Sequence, residues 1–477
     1  MNRLYNAIQT NDIETENGMA TNSTSGSAVL DMFFAMGGAR GMQPRNVEML
    51  FESAVTEDYR LALKALFYNR DIRGGQGERE TFRIMFAYLC NTYPQLAHLV
   101  LHLVPEYGRW DDVFLGVGTK VERAIISLIK DETLNGNVLL SKWMPREKKA
   151  NHKLAVRLAR LLGLDMRAYR KMYALKGEVV ENLMCNNQWG DINYNHVPSV
   201  ASNKYRKAFS RHDADRYVAW LEALEKGSPE AKINAGAIYP HDIAGKYISG
   251  NTYELDRTLE AQWKALPDFV NPEFSFITVT DTSGSMKFND GGLPRKVAYA
   301  LSVYLAEKNK SVFKDAFITF SSVAKLITLQ GHTLFSKIDT MMRNSIVENT
   351  NLDSVFKLIL EKAVGANLSQ EDMPSNILIL SDMQFDQSVG VPSDNAMQMI
   401  RRMYAEHGYE VPQVIFWNLR TSNGVPVKFD EDGTCLVSGF NPSIMKSLLG
   451  GELAPMSMMM SVLESERYAL VDEALDQ

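Results

Sequence analysis

Phe274-Ser275-Phe276-Ile277-Thr278-Val279-Thr280 runs straight into Asp281-Thr282-Ser283-Gly284-Ser285-Met286, and that junction decides the C-terminal half of the chain. The first stretch is aromatic and β-branched, the composition of a buried strand, and the second is built from turn formers. Helical patterns follow at Val297 to Asn309, Asp353 to Ala363 and Asn395 to His407. They alternate with strand patterns at Ala316 to Phe320, Asn376 to Leu380 and Gln413 to Asn418. Strands separated by helices of ten or more residues predict right-handed crossovers and a parallel sheet covered on both faces. Residues 271–477 therefore read as a doubly wound, Rossmann-like α/β domain with a C-terminal tail.

Ligands of such sheets bind beyond the carboxyl ends of the strands, at a topological switch point. Asp281, Ser283 and Ser285 offer one carboxylate and two hydroxyls from a single tight loop at that rim. Thr350, just before the helix near Asp353, adds a hydroxyl, and Asp382, after the strand ending at Leu380, adds a second carboxylate. Hard oxygen ligands in that number suit Mg²⁺, or another hard divalent cation such as Mn²⁺, that keeps some of its waters. With so few carboxylates the ion would retain positive charge and an open position for an acidic protein ligand. No Ser-His-Asp or Cys-His arrangement can be assembled from local sequence, and metal-assisted hydrolysis lacks an identifiable general base. The expectation is a binding protein, not an enzyme.

Residues 1–270 read as an α-helical, HEAT-like module of paired helices, without a clean internal period. Arg73-Gly74-Gly75-Gln76-Gly77 stops the helical pattern of Tyr59 to Asn69. It lacks the Lys-Ser/Thr ending of a P-loop. From Lys142 to Lys176 eleven Lys and Arg stand against Glu147 and Asp165, a local net of +9 in a chain of net charge -6. Lys149, Lys153, Arg157 and Arg160 fall on one side of a helix, and with Arg70 and Arg73 they are the candidate RNA contacts. The same run also reads as the solvated faces of two amphipathic helices. Tyr107-Gly108-Arg109-Trp110-Asp111-Asp112 reads as a helix connection, with Trp110 packed and Arg109 paired to an aspartate. His98 and His102 have the spacing of a zinc pair but no accompanying third ligand.

The chain has no apolar run of eighteen residues, and Met1 to Thr24 lacks a signal-peptide core. Three scattered cysteines, Cys90, Cys185 and Cys435, indicate neither a disulfide framework nor a thiolate zinc site. A cytoplasmic protein without a membrane partner is expected.

Several blocks resemble a family that joins a helical module to a von Willebrand factor A domain, and that is similar to the TROVE-domain proteins typified by the Ro autoantigen. They include Asp281 to Met286, Phe317-Ile318-Thr319-Phe320-Ser321, Asn349-Thr350-Asn351-Leu352, Leu380-Ser381-Asp382-Met383-Gln384-Phe385-Asp386 and Ile415 to Arg420. Asn17 to Gly26, Asn69 to Gly77, Tyr107 to Asp112 and Ala235 to His241 extend the likeness into the N-terminal half. The resemblance implies a metal-ion-dependent adhesion site at Asp281, Ser283, Ser285, Thr350 and Asp382. It also implies a helical ring that binds small or misfolded RNA. Met383 stands where many adhesion-type A domains carry glycine. The function expected is therefore a non-enzymatic, Ro-like RNA-binding protein with a metal-dependent docking domain. The alternative is a protein-binding scaffold or adhesion module that uses the metal site without RNA.

Overall fold

A computed structural model describes residues 12–173, 179–250, 252–320, 323–345, 350–387, 395–420, 424–448 and 454–476. Met1 to Asn11, Lys176 at the end of the basic run, and Ser321 and Asn349 of the family-like blocks lie outside the described residues. An N-terminal helical region precedes a C-terminal six-stranded sheet. In space the chain forms two units that interleave in sequence: Met1–Met42 with Asn193–Leu463, and Gln43–Ile192 with Glu464–Gln477.

The first unit is built on the sheet, after a short antiparallel pair, β1 (Asp12–Glu14) and β2 (Ala20–Asn22). The sheet strands are β3 (Phe276–Asp281), β4 (Ala316–Phe320), β5 (Lys325–Thr328), β6 (Asn376–Ser381), β7 (Gln413–Asn418) and β8 (Thr434–Ser438). Their order is β5-β4-β3-β6-β7-β8. Every residue of β3, β6 and β8 is buried, the pattern of strands covered on both faces. The Leu293–Lys308 helix packs on β3, β4 and β6 and against the Pro240–Ile248 and Leu334–Asn344 helices. The Leu352–Gly365 helix packs on β4 and against Ala396–His407.

The sheet is mixed, which corrects the all-parallel expectation: β5 runs antiparallel to β4, while the remaining neighbours are parallel. Only four residues join these two strands, too few for a crossover, so the chain must turn back. Lys325-Leu326-Ile327-Thr328 is mostly exposed and opens on lysine, as suits a protected sheet edge. The buried strand β8 and two N-terminal elements also went unread in the sequence. β2 exchanges backbone hydrogen bonds with the loop after β7, Asn22 N to Val425 O at 3.1 Å and the reverse at 2.7 Å. The Ala28–Met36 helix packs on β8. It ends at Gly37, where a Cβ would lie 2.4 Å from the Gly439 nitrogen, so only glycine permits the approach.

The second unit is helical. Asp58 caps the Tyr59–Arg70 helix through the amides of Arg60 and Leu61, at 2.9 and 3.0 Å. Arg73 to Gly77 does end that helix. Asp71 accepts from the Arg73 and Gly74 amides, and a Cβ on Gly75 would meet the Tyr68 carbonyl at 2.0 Å. Gly163, at φ +73°, closes the His152–Leu162 helix in the left-handed conformation usual for a helix end. The segment from Glu464 belongs here: the side chain of Lys64, almost fully buried, lies 2.9 Å from Glu464 and 2.7 Å from Asp472. No described helix is long and apolar enough to cross a membrane.

Candidate metal centre

Strand order reverses at β3 and β6, and the two candidate carboxylates occupy their adjacent carboxyl ends. Asp281 is the last residue of β3 and Asp382 directly follows β6; both are wholly buried. The Asp281 Oδ1 accepts from the Ser283 amide at 2.8 Å, which folds the loop back over the strand end. Its Oδ2 accepts from the Ser381 hydroxyl at 2.6 Å, and that hydroxyl in turn accepts from the Met383 amide at 3.0 Å. The hydroxyls of Ser283 and Ser285 lie 2.9 Å apart, and Ser285 also bonds Asp382. Asp281, Ser283, Ser285 and Asp382 are thus one hydrogen-bonded cluster.

Thr350 joins it less directly. Its hydroxyl accepts from Asn17 Nδ2 at 3.4 Å, the same nitrogen that donates to the Gln384 carbonyl at 2.7 Å, and its carbonyl accepts from the Asp386 amide. The β1–β2 turn fastens the loop after Asp382 at further points: Thr15 donates to the Phe385 carbonyl at 2.6 Å and the Glu16 amide to Gln384 Oε1 at 2.5 Å. Met383 is buried at φ +63°, in the left-handed region that a β-carbon disfavours.

Burial first, and the Asp382 carboxylate second, push the Asp281 carboxyl up to about 7. Asp382 is also raised, chiefly by burial; its bonds to Ser285 and to the Gln384 amide, and the Arg420 guanidinium, act in the opposite direction. Arg420 itself pairs with Asp290 at 3.3 Å. Two acids held together in a dry site resist ionising together, so such a pair favours a proton or a cation. Among the described residues no group of three or more His, Cys, Asp or Glu is placed to hold a metal. Any ion here would therefore rest on two carboxylates and on hydroxyls, a hard oxygen set.

Residues 15–109 and 118–272 match the model of a domain of unknown function, DUF2828, and residues 275–470 match a second, DUF7788. The first match alone covers more than half of the chain. The chain belongs to the DUF2828 family. An uncharacterized protein of Acanthamoeba polyphaga mimivirus is 31 % identical over 509 residues, spanning 94 % of this chain and 87 % of its own length. In this DUF2828 protein all five proposed metal ligands fall within the DUF7788 match, and the Lys142 to Lys171 basic run falls within the DUF2828 match.

The basic residues divide by environment. Lys149, Lys153, Arg157 and Arg160 are exposed; Lys149 precedes the His152–Leu162 helix, on which Ala155, Leu158 and Ala159 form the buried face. Arg157 is engaged, with Nη2 2.6 Å from Glu122. Arg73 is exposed beside Glu106. Arg70, expected at a surface, is instead buried, its Nε 2.9 Å from the wholly buried Asp112. The sequence reading did not single out Ser381, Asn17, Glu16 or Arg420. Ser381 carried a signal, as the hydroxyl between a buried strand and Asp382; the other three are brought in by contacts from distant chain positions.

Proposed function

We propose that the β3/β6 rim binds Mg²⁺ or Mn²⁺ through Asp281, Ser283, Ser285, Thr350 and Asp382, and docks an acidic group of a protein partner there. On this reading the C-terminal domain is of the von Willebrand A type with a metal-ion-dependent adhesion site, and it binds without catalysing a reaction. The observation that carries it is the pair of buried carboxylates sharing a hydroxyl network at the point where strand order reverses. When bound, the cation supplies a positive charge that accepts an anionic oxygen. Ser381 holds Asp281 in orientation through its short hydrogen bond, and the Asn17 amide fixes the Thr350 hydroxyl. Isothermal titration of the full chain with Mg²⁺ and Mn²⁺ at pH 8 tests this: one saturable site per chain is expected, with proton release on binding. Heat no greater than that of dilution for both ions would refute the rim as a cation site.

A second reading, single-stranded RNA binding by the helical unit, is favoured by the exposed Lys149, Lys153 and Arg160 on and beside one helix face. It also agrees with the TROVE-like resemblance. Reversing these three charges to glutamate should weaken binding of a single-stranded RNA by about tenfold or more and flatten its salt dependence, measured by fluorescence anisotropy at two salt concentrations. An unchanged affinity and salt slope would leave the run as a solvated helix face.

A further inference from the structure

The helical unit brings together the arginines that follow the Asn69 to Gly77 loop and the Tyr107 to Asp112 motif, to which neither reading gives a role. We propose that Arg79, Arg83 and Arg109 form a binding site for a phosphate dianion, free or as a monoester. Arg79 and Arg83 lie four residues apart at the start of the Glu80–Thr92 helix, and Arg109 immediately precedes Trp110–Val113.

All three converge on two carboxylates. Asp111 Oδ2 lies 2.5 Å from Arg79 Nη2 and accepts from Arg109 Nη2 at 3.0 Å. Asp112 Oδ1 lies 3.5 Å from Arg83 Nε and 4.0 Å from Arg79 Nε. The other oxygen of Asp112 is taken by the buried Arg70 at 2.9 Å.

Four guanidiniums thus share two carboxylates. Glu78, buried and next to Arg79 in sequence, adds a third acid, and the sum remains positive. A purely structural role for Asp112 is met by Arg70 alone, whose side chain is 6 % exposed. Arg79, Arg83 and Arg109 reach solvent, with side chains 46 %, 36 % and 30 % exposed. Arg109 Nε faces Asp111 Oδ1 at 3.0 Å, whereas the Arg83 side chain makes no hydrogen bond among the described residues and only approaches Asp112 at 3.5 Å, so its terminal donors stay available at the solvent edge of the cluster. Each guanidinium presents five N–H donors in a planar fork that fits the oxygens of a tetrahedral oxyanion. Arg109 is further held by stacking 4.2 Å over Trp143. Four guanidiniums against Asp111, Asp112 and Glu78 leave an excess of +1, which offsets part of the charge of a phosphate dianion, about -1.5 to -2 near neutral pH.

The test uses the full chain at fixed ionic strength, with inorganic phosphate and AMP as separate probes in a thermal-shift titration. Both are expected to raise the melting temperature of the wild type. Arg83→Ala should weaken both by roughly tenfold or more; Arg83→Lys, which keeps the charge but not the fork, should fall between the two. Arg73→Ala, outside the cluster, should change neither. Inorganic phosphate binding as tightly as AMP would identify a free-phosphate site, and AMP binding about tenfold tighter would identify an organic monoester. The proposal is overturned if neither probe shifts the wild type. It is equally overturned if folded Arg83→Ala and Arg83→Lys proteins bind as the wild type does, or if Arg73→Ala weakens binding as much as Arg83→Ala.

Discussion

Asp281→Asn is expected to abolish the stabilisation of the protein by Mg²⁺ while making the metal-free protein more stable at alkaline pH. In the fold this carboxyl is raised to about 7 by burial and by Asp382, against an ordinary value near 3.8. Below about pH 4 the group is protonated in both the folded and unfolded states and contributes nothing to the pH dependence. Between about 4 and 7 the folded state keeps a proton that the unfolded state has lost, so stability falls as pH rises. Above 7 the whole penalty is present, on the order of a few kcal/mol for a shift of this size. Asparagine keeps the shape: its oxygen can accept from the Ser283 amide, and its nitrogen can donate to the Ser381 hydroxyl that now donates to Asp281. Urea unfolding of the metal-free wild type should therefore show stability declining from pH 5 to pH 8, and the variant a flatter profile. Ten millimolar Mg²⁺ should raise the wild-type melting temperature more at pH 8 than at pH 5, because protons compete for the same oxygens, and leave the variant unmoved. A wild type indifferent to both pH and Mg²⁺ would mean that the two acids are not the coupled, cation-ready pair described above.

The sheet was legible because its strands are continuous apolar or β-branched runs separated by long helical patterns. Ala316 to Phe320 and Gln413 to Asn418 coincide with β4 and β7 to the residue. Asp281 and Asp382 could be placed at one rim for the same reason: each ends or follows such a run, and parallel strands put their carboxyl ends on one side. Features defined by contacts between distant residues were not legible. Nothing local in Asn17 indicates that its amide will reach Thr350 and Gln384, since that depends on the β1–β2 pair docking more than three hundred residues away in sequence. The antiparallel β5 escaped because Lys325 to Thr328 is short and solvated on most of its length, so it lacks the buried signature of its neighbours. Arg70 misled for a related reason. On composition an arginine beside a glycine-rich loop reads as a surface cation, and only the fold shows Asp112 waiting in the interior forty-two residues later.

That same pair sets the largest stability effect expected in the helical unit. Asp112→Ala should destabilise the protein by about 3–5 kcal/mol, because Arg70 is left as a buried cation that cannot lose its proton. Its side chain is 6 % exposed and its Nε donates to Asp112 at 2.9 Å, with Gly108 packed so closely that a Cβ there would lie 3.0 Å from the same oxygen. Arg70→Met is expected to cost less, since Asp112 keeps the Arg83 and Arg79 guanidiniums within 4.0 Å. The double change Arg70→Met with Asp112→Leu should be milder than Asp112→Ala alone, as apolar groups replace a buried pair without stranding either charge. Urea unfolding of the wild type, Arg70→Met, Asp112→Leu and the double variant closes a double-mutant cycle in which the coupling energy isolates the pair. A loss below about 1 kcal/mol for Asp112→Ala would mean that Arg70 escapes to solvent when released, and would return it to the surface role that its neighbouring glycines suggest.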